Sequence, residues 1–374
     1  MKVLALEPYY GGSHQAFLDG WSGRSRHSWT LLTLPGHHWK WRMRHAPVTL
    51  GAEVHRRAEA GETWDVLFCT DMLDLATFLG LAPAPVGRLP SVVYFHENQL
   101  TYPVRHEDSR DRHFAFTNLT TALAGRAVWF NSAFHRESFL DATSAFLGTM
   151  PDYPPLDAVD RVRARSGVYP PGIETFAPPV PRRAGALRVV WAARWEYDKG
   201  PDDFFRALAL LDRRGVDFRV SVIGQQFRDT PGVFAEARTA LASRIDRWGH
   251  QPSRADYAAT LADADVFVST ARHEFFGLSA VEAIAAGALP VLPDRLAYPE
   301  VLAELDAGDL LYDGTVEALA ERLASLAGDR GALAARREEL ARSAGERFGW
   351  SGLVETMDDA LADAAWTTGR CREP

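Results

Sequence analysis

The sequence predicts an α/β protein that consists of two doubly wound domains in tandem. Short apolar runs of strand length alternate with segments of helical periodicity, a pattern typical of parallel sheets with crossover helices. This alternation occurs twice, and a proline-rich stretch separates the two series. The length of 374 residues also allows two domains of ordinary size.

The first half contains five predicted strands, which are residues 3–6, 29–34, 66–70, 91–95 and 128–131. The N-terminal apolar run is too short for a signal-peptide core, so we predict it as the first strand. No stretch approaches the roughly 20 apolar residues of a membrane span. We therefore expect a cytoplasmic protein that does not cross a membrane.

The second half repeats the pattern in residues 188–193, 218–223, 266–270, 289–292 and 309–312. Beyond about residue 315, Ala, Leu, Glu and Arg dominate and predict helices, with 350–366 as a separate amphipathic helix. Residues 169–173 and 177–181 are rich in proline, which fits neither a helix interior nor a central strand. We predict domains at 1–170 and 171–349, followed by a C-terminal segment at 350–374.

Composition and charge exclude several classes of protein. The content of 47% hydrophobic and 24% charged residues is that of a globular protein. A net charge of -8 argues against an indiscriminate polyanion binder, although residues 1–180 carry only -1 and the rest carries -7. Cys69 and Cys371 suit neither a zinc site nor a disulfide framework and indicate a reducing compartment.

The strongest motif is the segment 272–282, which follows a predicted strand and opens a helix. Peptide N–H groups at such a helix start are suited to bind an anion, in particular a phosphate. Glu274 in the loop and Glu282 in the helix offer acceptors for sugar or ribose hydroxyls. The alternative is a solvated loop acid and a glutamate on the helix surface.

A second motif, residues 192–201, follows the first strand of the second half. Arg194 and Lys199 lie where open α/β sheets bind ligands, and they are suited to neutralise a diphosphate leaving group. Pro201 is predicted near the first position of the next helix. The alternative is that both cations are simply solvated.

The first half carries weaker motifs. Gly11 and Gly12 allow a close backbone approach to a ligand, or form an ordinary tight turn. His96 emerges from a strand end, where it is suited to bind a hydroxyl or move a proton, or is satisfied within its loop. At another strand end, Asn131 precedes Ser132, a natural helix N-cap.

The segment 20–52 contains basic and aromatic residues and no acid. Phosphates attract cations and unstacked bases stack on aromatic rings, so this segment is a candidate RNA contact. The alternative is part strand and part positively charged loop without a ligand. GxxxxGK[ST], GxSxG, HExxH and DxD motifs are absent, so the sequence predicts no metal and no cofactor.

These second-half motifs resemble the retaining GT-B enzymes of glycosyltransferase family 4, whose donor site carries two glutamates separated by seven residues. Glu274 and Glu282 have that spacing, Arg194 with Lys199 is similar to the family's diphosphate-binding pair, and residues 169–174 resemble its interdomain linker. The resemblance implies two Rossmann-like domains that face across a cleft, with the C-terminal helix crossing back to the first.

The same resemblance implies roles for individual residues. Arg194, Lys199 and Glu274, together with His96, are the expected catalytic residues, and His96 is expected to bind sugar hydroxyls rather than act as a base. Glu282 would bind the nucleotide ribose. The remaining donor-binding groups would be Gly12 toward the phosphates from the opposite domain, and the backbone of Phe276, Gly277 and Leu278 toward the sugar.

The first half is similar to the tRNA-queuosine mannosyltransferase group. Residues 7–14, 34–44 and 96–103 carry this similarity. It implies transfer of mannose from GDP-mannose to the cyclopentenediol of queuosine in tRNA-Asp. Alternatives are a GT-B enzyme with a small-molecule, lipid or glycan acceptor, and a non-catalytic nucleotide-sugar or RNA-binding module. The expected acceptor-binding residues are His14, Lys40, Arg42, Arg44, Glu97 and Asn98.

Overall fold

The structure is a computed structural model that describes residues 1–104, 111–174, 176, 185–227 and 230–366, without the side chains of 330–333. The proline-rich residues 177–181 and Cys371 lie outside the described residues. The chain divides into two compact units. The first contains Met1–Gly172 and the chain from Trp350 onward, and the second contains Ile173–Gly349.

The first unit has a parallel six-stranded sheet with the order β2-β1-β3-β4-β5-β6. Its strands are β1 (Lys2–Tyr10), β2 (Ser28–Pro35), β3 (Val66–Thr70), β4 (Ser91–Phe95), β5 (Ala127–Phe130) and β6 (Ser166–Val168). Its connecting helices are α1 (Gly12–Ser22), α2 (Trp39–Glu59), α3 (Leu75–Leu81), α4 (Ala84–Gly87), α5 (Arg112–Ala124), α6 (Ala133–Leu147) and α7 (Asp157–Arg163).

Successive side chains of these strands enter two separate cores. Leu4 and Leu67 pack on one face of the sheet, whereas Val3 and Phe68 pack on the other. Val3 of β1 pairs with Val66 of β3, which sets the register at the centre of the sheet. Both faces are covered, and for this reason the strands appear in the sequence as continuous apolar runs.

The second unit has the same kind of sheet, with the order β12-β11-β10-β7-β8-β9. Its strands are β7 (Leu187–Ala192), β8 (Phe218–Ile223), β9 (Ile245–Gly249), β10 (Val266–Val268), β11 (Leu289–Pro293) and β12 (Leu311–Tyr312). Its helices are α8 (Pro201–Arg213), α9 (Val233–Ala240), α10 (Arg254–Asp263), α11 (Leu278–Ala285), α12 (Tyr298–Ala303), α13 (Val316–Gly328) and α14 (Arg330–Phe348). Pro201 occupies the first turn of α8, as predicted.

The last helix, α15 (Trp350–Trp366), returns to the first unit. Its apolar side chains recur at helical spacing and pack in the same core as Val3 and Phe68. Gly20 of α1 allows a close approach, since a Cβ there would lie 2.2 Å from Nε1 of Trp350. Asp358 of α15 is buried and accepts a hydrogen bond of 2.8 Å from Nε1 of Trp21.

All ten strands predicted from the sequence are present, and two further strands among the described residues were missed. β6 is only three residues long, and β9 contains Asp246 and Arg247, which interrupt the apolar run. β12 is shorter than predicted because residues 308–310 form a 3₁₀ turn. Apolar runs identify central strands, whereas β6 and β9 lie at sheet edges, where one side needs no partner.

The boundary between the units lies two residues after the predicted position. Gly172 packs against Trp350, where an added Cβ would lie 2.3 Å from the indole Cδ2. Ile173 instead is buried in the core of the second unit and bridges to Gly349.

No helix in the described part of the chain is long and apolar enough to cross a bilayer.

Candidate active site

Lys199 lies at the strand ends of the second unit and is buried, so the solvated alternative is wrong for this residue. It ends a 3₁₀ turn directly before α8. Its Nζ donates to the carbonyl of His273 at 2.8 Å and to Oε2 of Glu274 at 3.4 Å. Asp198 adds a second carboxylate 3.4 Å from Nζ. The ammonium group is therefore held in place by acids from its own turn and from the loop after β10.

The buried Lys199 charge influences the ionisation of the groups around it. Burial would raise the pKa of Glu274, but the charge and hydrogen bond of Lys199, together with His273 and Arg194, outweigh it and hold the pKa below its usual value. Burial together with Lys199 lowers the pKa of His273 to about 4, so this imidazole is neutral at pH 7. The loop therefore presents an ionised carboxylate beside a fixed cation.

The helix start predicted to bind an anion begins at Gly277. This residue has φ 97° in the left-handed region and precedes Leu278 as the N-cap of α11. A Cβ at Gly277 would lie 2.9 Å from Cε1 of Tyr298 and have a strained backbone, so glycine is required. The Phe276 ring is buried in the core and leaves only its peptide group for a ligand.

Glu282 is buried on α11 and is engaged by two residues that the sequence reasoning missed. Its Oε2 accepts a hydrogen bond of 2.7 Å from the Tyr257 hydroxyl, and its Oε1 accepts one from Arg254. Both partners lie on α10, three residues apart and therefore on one helix face. Burial, and then Glu282, raises the pKa of Tyr257.

Arg194 is more exposed than Lys199. Its side chain is 41% accessible, and its Nε lies 3.2 Å from Oε2 of Glu196. The structure brings Arg194 close enough to Glu274 to contribute to the lowered pKa of that carboxyl group. Arg194 and Lys199 thus act electrostatically on one loop, while only Lys199 is fixed by burial.

In the first unit, a buried carboxylate–imidazole pair links β1 to α1. Nδ1 of His14 lies 3.1 Å from Oε2 of Glu7, and both residues are almost fully buried. Burial alone would lower the pKa of His14, but Glu7, Asp71 and Glu97 outweigh it and raise the pKa to about 9. His14 is therefore a charged imidazolium at neutral pH.

His96 lies against this pair, at the end of β4. Its ring centroid is 4.0 Å from that of His14, and its backbone N–H donates to Oδ1 of Asp71 at 2.8 Å. Burial and the His14 charge hold the pKa of His96 well below its usual range. Asp71 was not predicted, although it directly follows β3 and obeys the strand-end rule that identified His96.

Glu7, His14 and His96 also satisfy a geometric requirement for metal binding. Each offers one ligand atom, and these atoms lie within 4.8 Å of one another. The prediction that no metal is needed therefore stays a prediction.

The loop after β4 is stabilised by Asn98. Its Oδ1 accepts hydrogen bonds from the backbone of Leu100 and Thr101 and from the Thr101 hydroxyl. This oxygen is thus used by the loop, which leaves the amide NH₂ for any ligand. Glu97 is half-buried and accepts from Gln99.

Two further predicted positions have identifiable roles in the backbone. Asn131 donates to the carbonyl of His96 at 2.9 Å, and Ser132 is the N-cap of α6, as predicted.

Gly12 has φ 57° at the start of α1. Apart from Gly12 itself, its two chain neighbours and the nearby backbone of α1, no described atom lies within 4 Å of where its Cβ would be.

The start of α2 presents a surface that we call the basic–aromatic patch, defined by Lys40, Trp41, Arg42 and Arg44. Trp41 is 61% exposed and stacks on His45. The Arg42 guanidinium contacts the imidazoles of His37 and His45 and the carbonyl of Pro35, and no carboxylate among the described residues. Lys40 lies over the Trp39 ring and Arg44 over the Phe114 ring.

Outside this patch, most of the segment 20–52 packs within the first unit. The RNA-contact hypothesis is therefore wrong for that part of the segment. Trp21 is fully buried, Trp29 packs against it, and Arg26 pairs with Asp359 of α15. The alternative of a positively charged loop is also wrong for residues 39–52, which are helical. The candidate contact is therefore reduced to the basic–aromatic patch.

Two family models match the chain and together cover nearly all of it. The model described as "tRNA-queuosine alpha-mannosyltransferase N-terminal" matches residues 2–173, and "Glycosyl transferases group 1" matches residues 174–346. A Drosophila melanogaster protein named "tRNA-queuosine alpha-mannosyltransferase" is 33% identical over 80% of this chain and 81% of its own length. A Mycobacterium tuberculosis relative, a "GDP-mannose-dependent alpha-(1-6)-phosphatidylinositol dimannoside mannosyltransferase", is 30% identical over 57% of this chain and 56% of its length.

Solved structures with the same fold include enzymes of the GT-B class. Sucrose-phosphate synthase from Thermosynechococcus elongatus has a TM-score of 0.72 at 14% identity, over 97% of this chain and 99% of that one. Anabaena Alr3699/HepE in complex with UDP has a TM-score of 0.68 at 15% identity, over 97% of this chain and 100% of that one. The predicted fold class is thus confirmed.

Proposed function

Because the chain belongs to the tRNA-queuosine alpha-mannosyltransferase family, we propose that it transfers mannose from GDP-mannose to the cyclopentenediol of queuosine in tRNA-Asp. The observation that carries this proposal is the family match over residues 2–173. Relatives that match only about half of the chain use other acceptors by name, whereas the first unit is where acceptor recognition is expected.

The second unit has the groups that departure of a nucleoside diphosphate requires. Negative charge accumulates on the leaving group, and the fixed Lys199 ammonium, Arg194 and the N–H groups at the start of α11 would stabilise it. Glu282 would accept hydrogen bonds from the ribose and Glu274 from the sugar. We propose that the reaction retains the anomeric configuration and that a donor phosphate oxygen accepts the proton of the acceptor hydroxyl.

The proposed substrate also indicates the compartment in which the reaction takes place. Since tRNA is the acceptor, we propose that the enzyme acts in the cytoplasm. The cations Lys199 and Arg194 support a reaction in which the protein itself neutralises the leaving group, without a metal ion.

A direct assay tests donor and acceptor together. The purified protein is incubated with queuosine-containing or queuosine-free tRNA-Asp and a panel of nucleotide sugars, and the tRNA is digested and analysed by nucleoside mass spectrometry. We expect that GDP-mannose is the one donor of the panel that adds a hexose, and that the hexose is added to queuosine. A product on queuosine-free tRNA, or none with any donor, would contradict the proposal.

Replacing Glu282 by Ala is expected to weaken donor binding about 10- to 100-fold. The change removes a charged acceptor for ribose hydroxyls, and hydrogen bonds to charged groups contribute roughly 1.5–3 kcal/mol. Isothermal titration of GDP would measure the effect. Glu321→Gln, at an exposed position on α13, is the matched control, and equal affinities in both variants would contradict the role of Glu282.

Neutralising the basic–aromatic patch tests RNA binding. In the double variant Arg42→Gln with Arg44→Gln, we expect the slope of log K against log salt concentration to decrease by about 1.4. Each contact with single-stranded nucleic acid contributes about 0.7 to that slope. Fluorescence anisotropy with an anticodon stem-loop would measure it. Arg56→Gln, at the opposite end of α2, should leave the slope unchanged.

A further inference from the structure

Trp41 is an exposed aromatic ring that the structure holds in place. It lies in the first turn of α2 and is 61% exposed. Its ring stacks on that of His45, one turn further along the helix, with a centroid distance of 4.9 Å and an interplanar angle of 26°. A ring that is already held in place loses little conformational freedom when a partner binds to it.

His45, which supports Trp41, is itself fixed through both of its ring nitrogens. Its Nδ1 lies 2.8 Å from Oγ1 of Thr49, and its Nε2 lies 3.0 Å from the Arg42 guanidinium. A guanidinium only donates hydrogen bonds, so Nε2 is the acceptor and the imidazole is neutral. Burial and the Arg42 charge lower the pKa of His45, in agreement with a neutral ring at pH 7. Trp41 therefore rests on a fixed, uncharged support.

Three cations lie within three residues of Trp41 along the chain. Two of them are positioned by rings, since the Arg44 guanidinium lies 4.5 Å from the centroid of the buried Phe114 ring and Nζ of Lys40 lies 5.5 Å from that of Trp39. No cation of the basic–aromatic patch pairs with a carboxylate among the described residues. The exposed indole thus lies amid positive charge that is not neutralised, which favours an anionic partner with flat, apolar groups.

The patch lies at the same edge of the sheet as the carboxylate–imidazole pair of the first unit. β1 and β2 end side by side, since Tyr10 pairs with Pro35. Tyr9 packs against the same small buried cluster as Trp39, and its ring centroid lies 5.7 Å from that of His14. One segment of an RNA strand is therefore able to contact both the patch and the region of His14.

We propose that Trp41 is a stacking platform for an unpaired base of the RNA acceptor, and that Arg42 and Arg44 bind neighbouring phosphates. The inference rests on the proposed function, because it names the part of the tRNA that the patch recognises. An unpaired base is favoured over a duplex, since paired bases are already stacked and the deep, narrow major groove of an RNA helix excludes side chains. Stacking on an aromatic ring tolerates any base, so Trp41 recognises an open anticodon loop rather than one sequence.

Fluorescence anisotropy with two RNA probes tests the platform. The probes are an unmodified anticodon stem-loop of tRNA-Asp and a blunt duplex with the sequence of its stem. In Trp41→Ala we expect the stem-loop to bind about 5- to 100-fold more weakly, whereas duplex binding and the salt dependence remain those of the wild type. Trp41→Phe keeps a ring and should recover most of the loss. Trp366→Ala is the matched control, because Trp366 is exposed to a similar extent, at 64%.

Several outcomes would overturn the inference. It is wrong if the wild-type protein does not bind the stem-loop, if Trp41→Ala and Trp366→Ala bind it equally well, or if Trp41→Ala loses affinity for the duplex to the same extent. It is also wrong if Trp41→Phe binds as weakly as Trp41→Ala. If Trp41→Ala instead abolishes a dimer in analytical ultracentrifugation and leaves RNA affinity unchanged, the partner is a second copy of the chain.

Transfer assays separate this inference from the proposed function. In Trp41→Ala we expect a higher KM for queuosine-containing tRNA and an unchanged KM for GDP-mannose. An unchanged KM for tRNA would overturn the inference while the proposed function stands. If the wild-type protein binds the stem-loop through Trp41 but transfers no mannose, the proposed function fails and the stacking platform stands.

Discussion

Replacing Lys199 by Met is expected to lower kcat about 10²- to 10³-fold while the fold persists. Met has a similar length and no charge, so the variant loses the fixed cation that we propose stabilises the leaving diphosphate. Removal of one preoriented group that stabilises transition-state charge costs about this much. The uncompensated Glu274 and Asp198 carboxylates would also repel the donor phosphates. Single-turnover kinetics with saturating donor would separate this loss from weaker binding.

Arg206→Gln provides the control for that experiment. Arg206 lies on α8 a short distance along the chain, and its exposed side chain pairs with Asp203. Its loss should change kcat by no more than about twofold from the wild-type value, because an exposed cation is screened by solvent. A Lys199→Met enzyme with wild-type kcat would eliminate the leaving-group role that we assign to this residue.

Replacing Asp358 by Ala is expected to destabilise the first unit by about 3–5 kcal/mol. The buried carboxylate accepts hydrogen bonds of 2.8 Å from Nε1 of Trp21, from Oγ of Ser25 and from the backbone N–H of Arg26. Alanine leaves these donors without an acceptor, and each unsatisfied buried group costs roughly 1–3 kcal/mol. Urea unfolding followed by tryptophan fluorescence would measure the change.

The neighbouring Asp359 is the matched control, since it also carries a carboxylate on α15. Its partner Arg26 and its own side chain are both largely exposed. Asp359→Ala should therefore shift the urea midpoint only slightly. Similar midpoints for the two variants would mean that the Asp358 network does not hold α15 in place.

The sequence was informative wherever burial is continuous along the chain. Strands covered on both faces appear as apolar runs, so ten of the twelve strands in the described residues could be located. The spacing of Glu274 and Glu282 was also readable, because a loop and the helix that follows it are local structure. The edge strand β9 was missed because one of its sides faces no partner strand, which permits charged residues.

Contacts between distant segments could not be derived from these patterns. Asp71 meets His96 because β3 and β4 are neighbours in the sheet, and Arg254 meets Glu282 because α10 packs beside α11. Trp21 and Trp29 looked like candidates for base stacking, yet the fold places them in the core beneath α15. Which aromatic residues remain exposed depends on what covers them, and here the covering helix lies more than 300 residues away.

That separation has a consequence for the order of synthesis. The hydrogen bond between Trp21 and Asp358 joins residues 337 positions apart. On the ribosome, the apolar face that contains Val3 and Phe68 is made early and waits for α15, while the continuous second unit can complete its own core first. Domains generally fold as units during translation, so here the unit that begins the chain is the last to be completed.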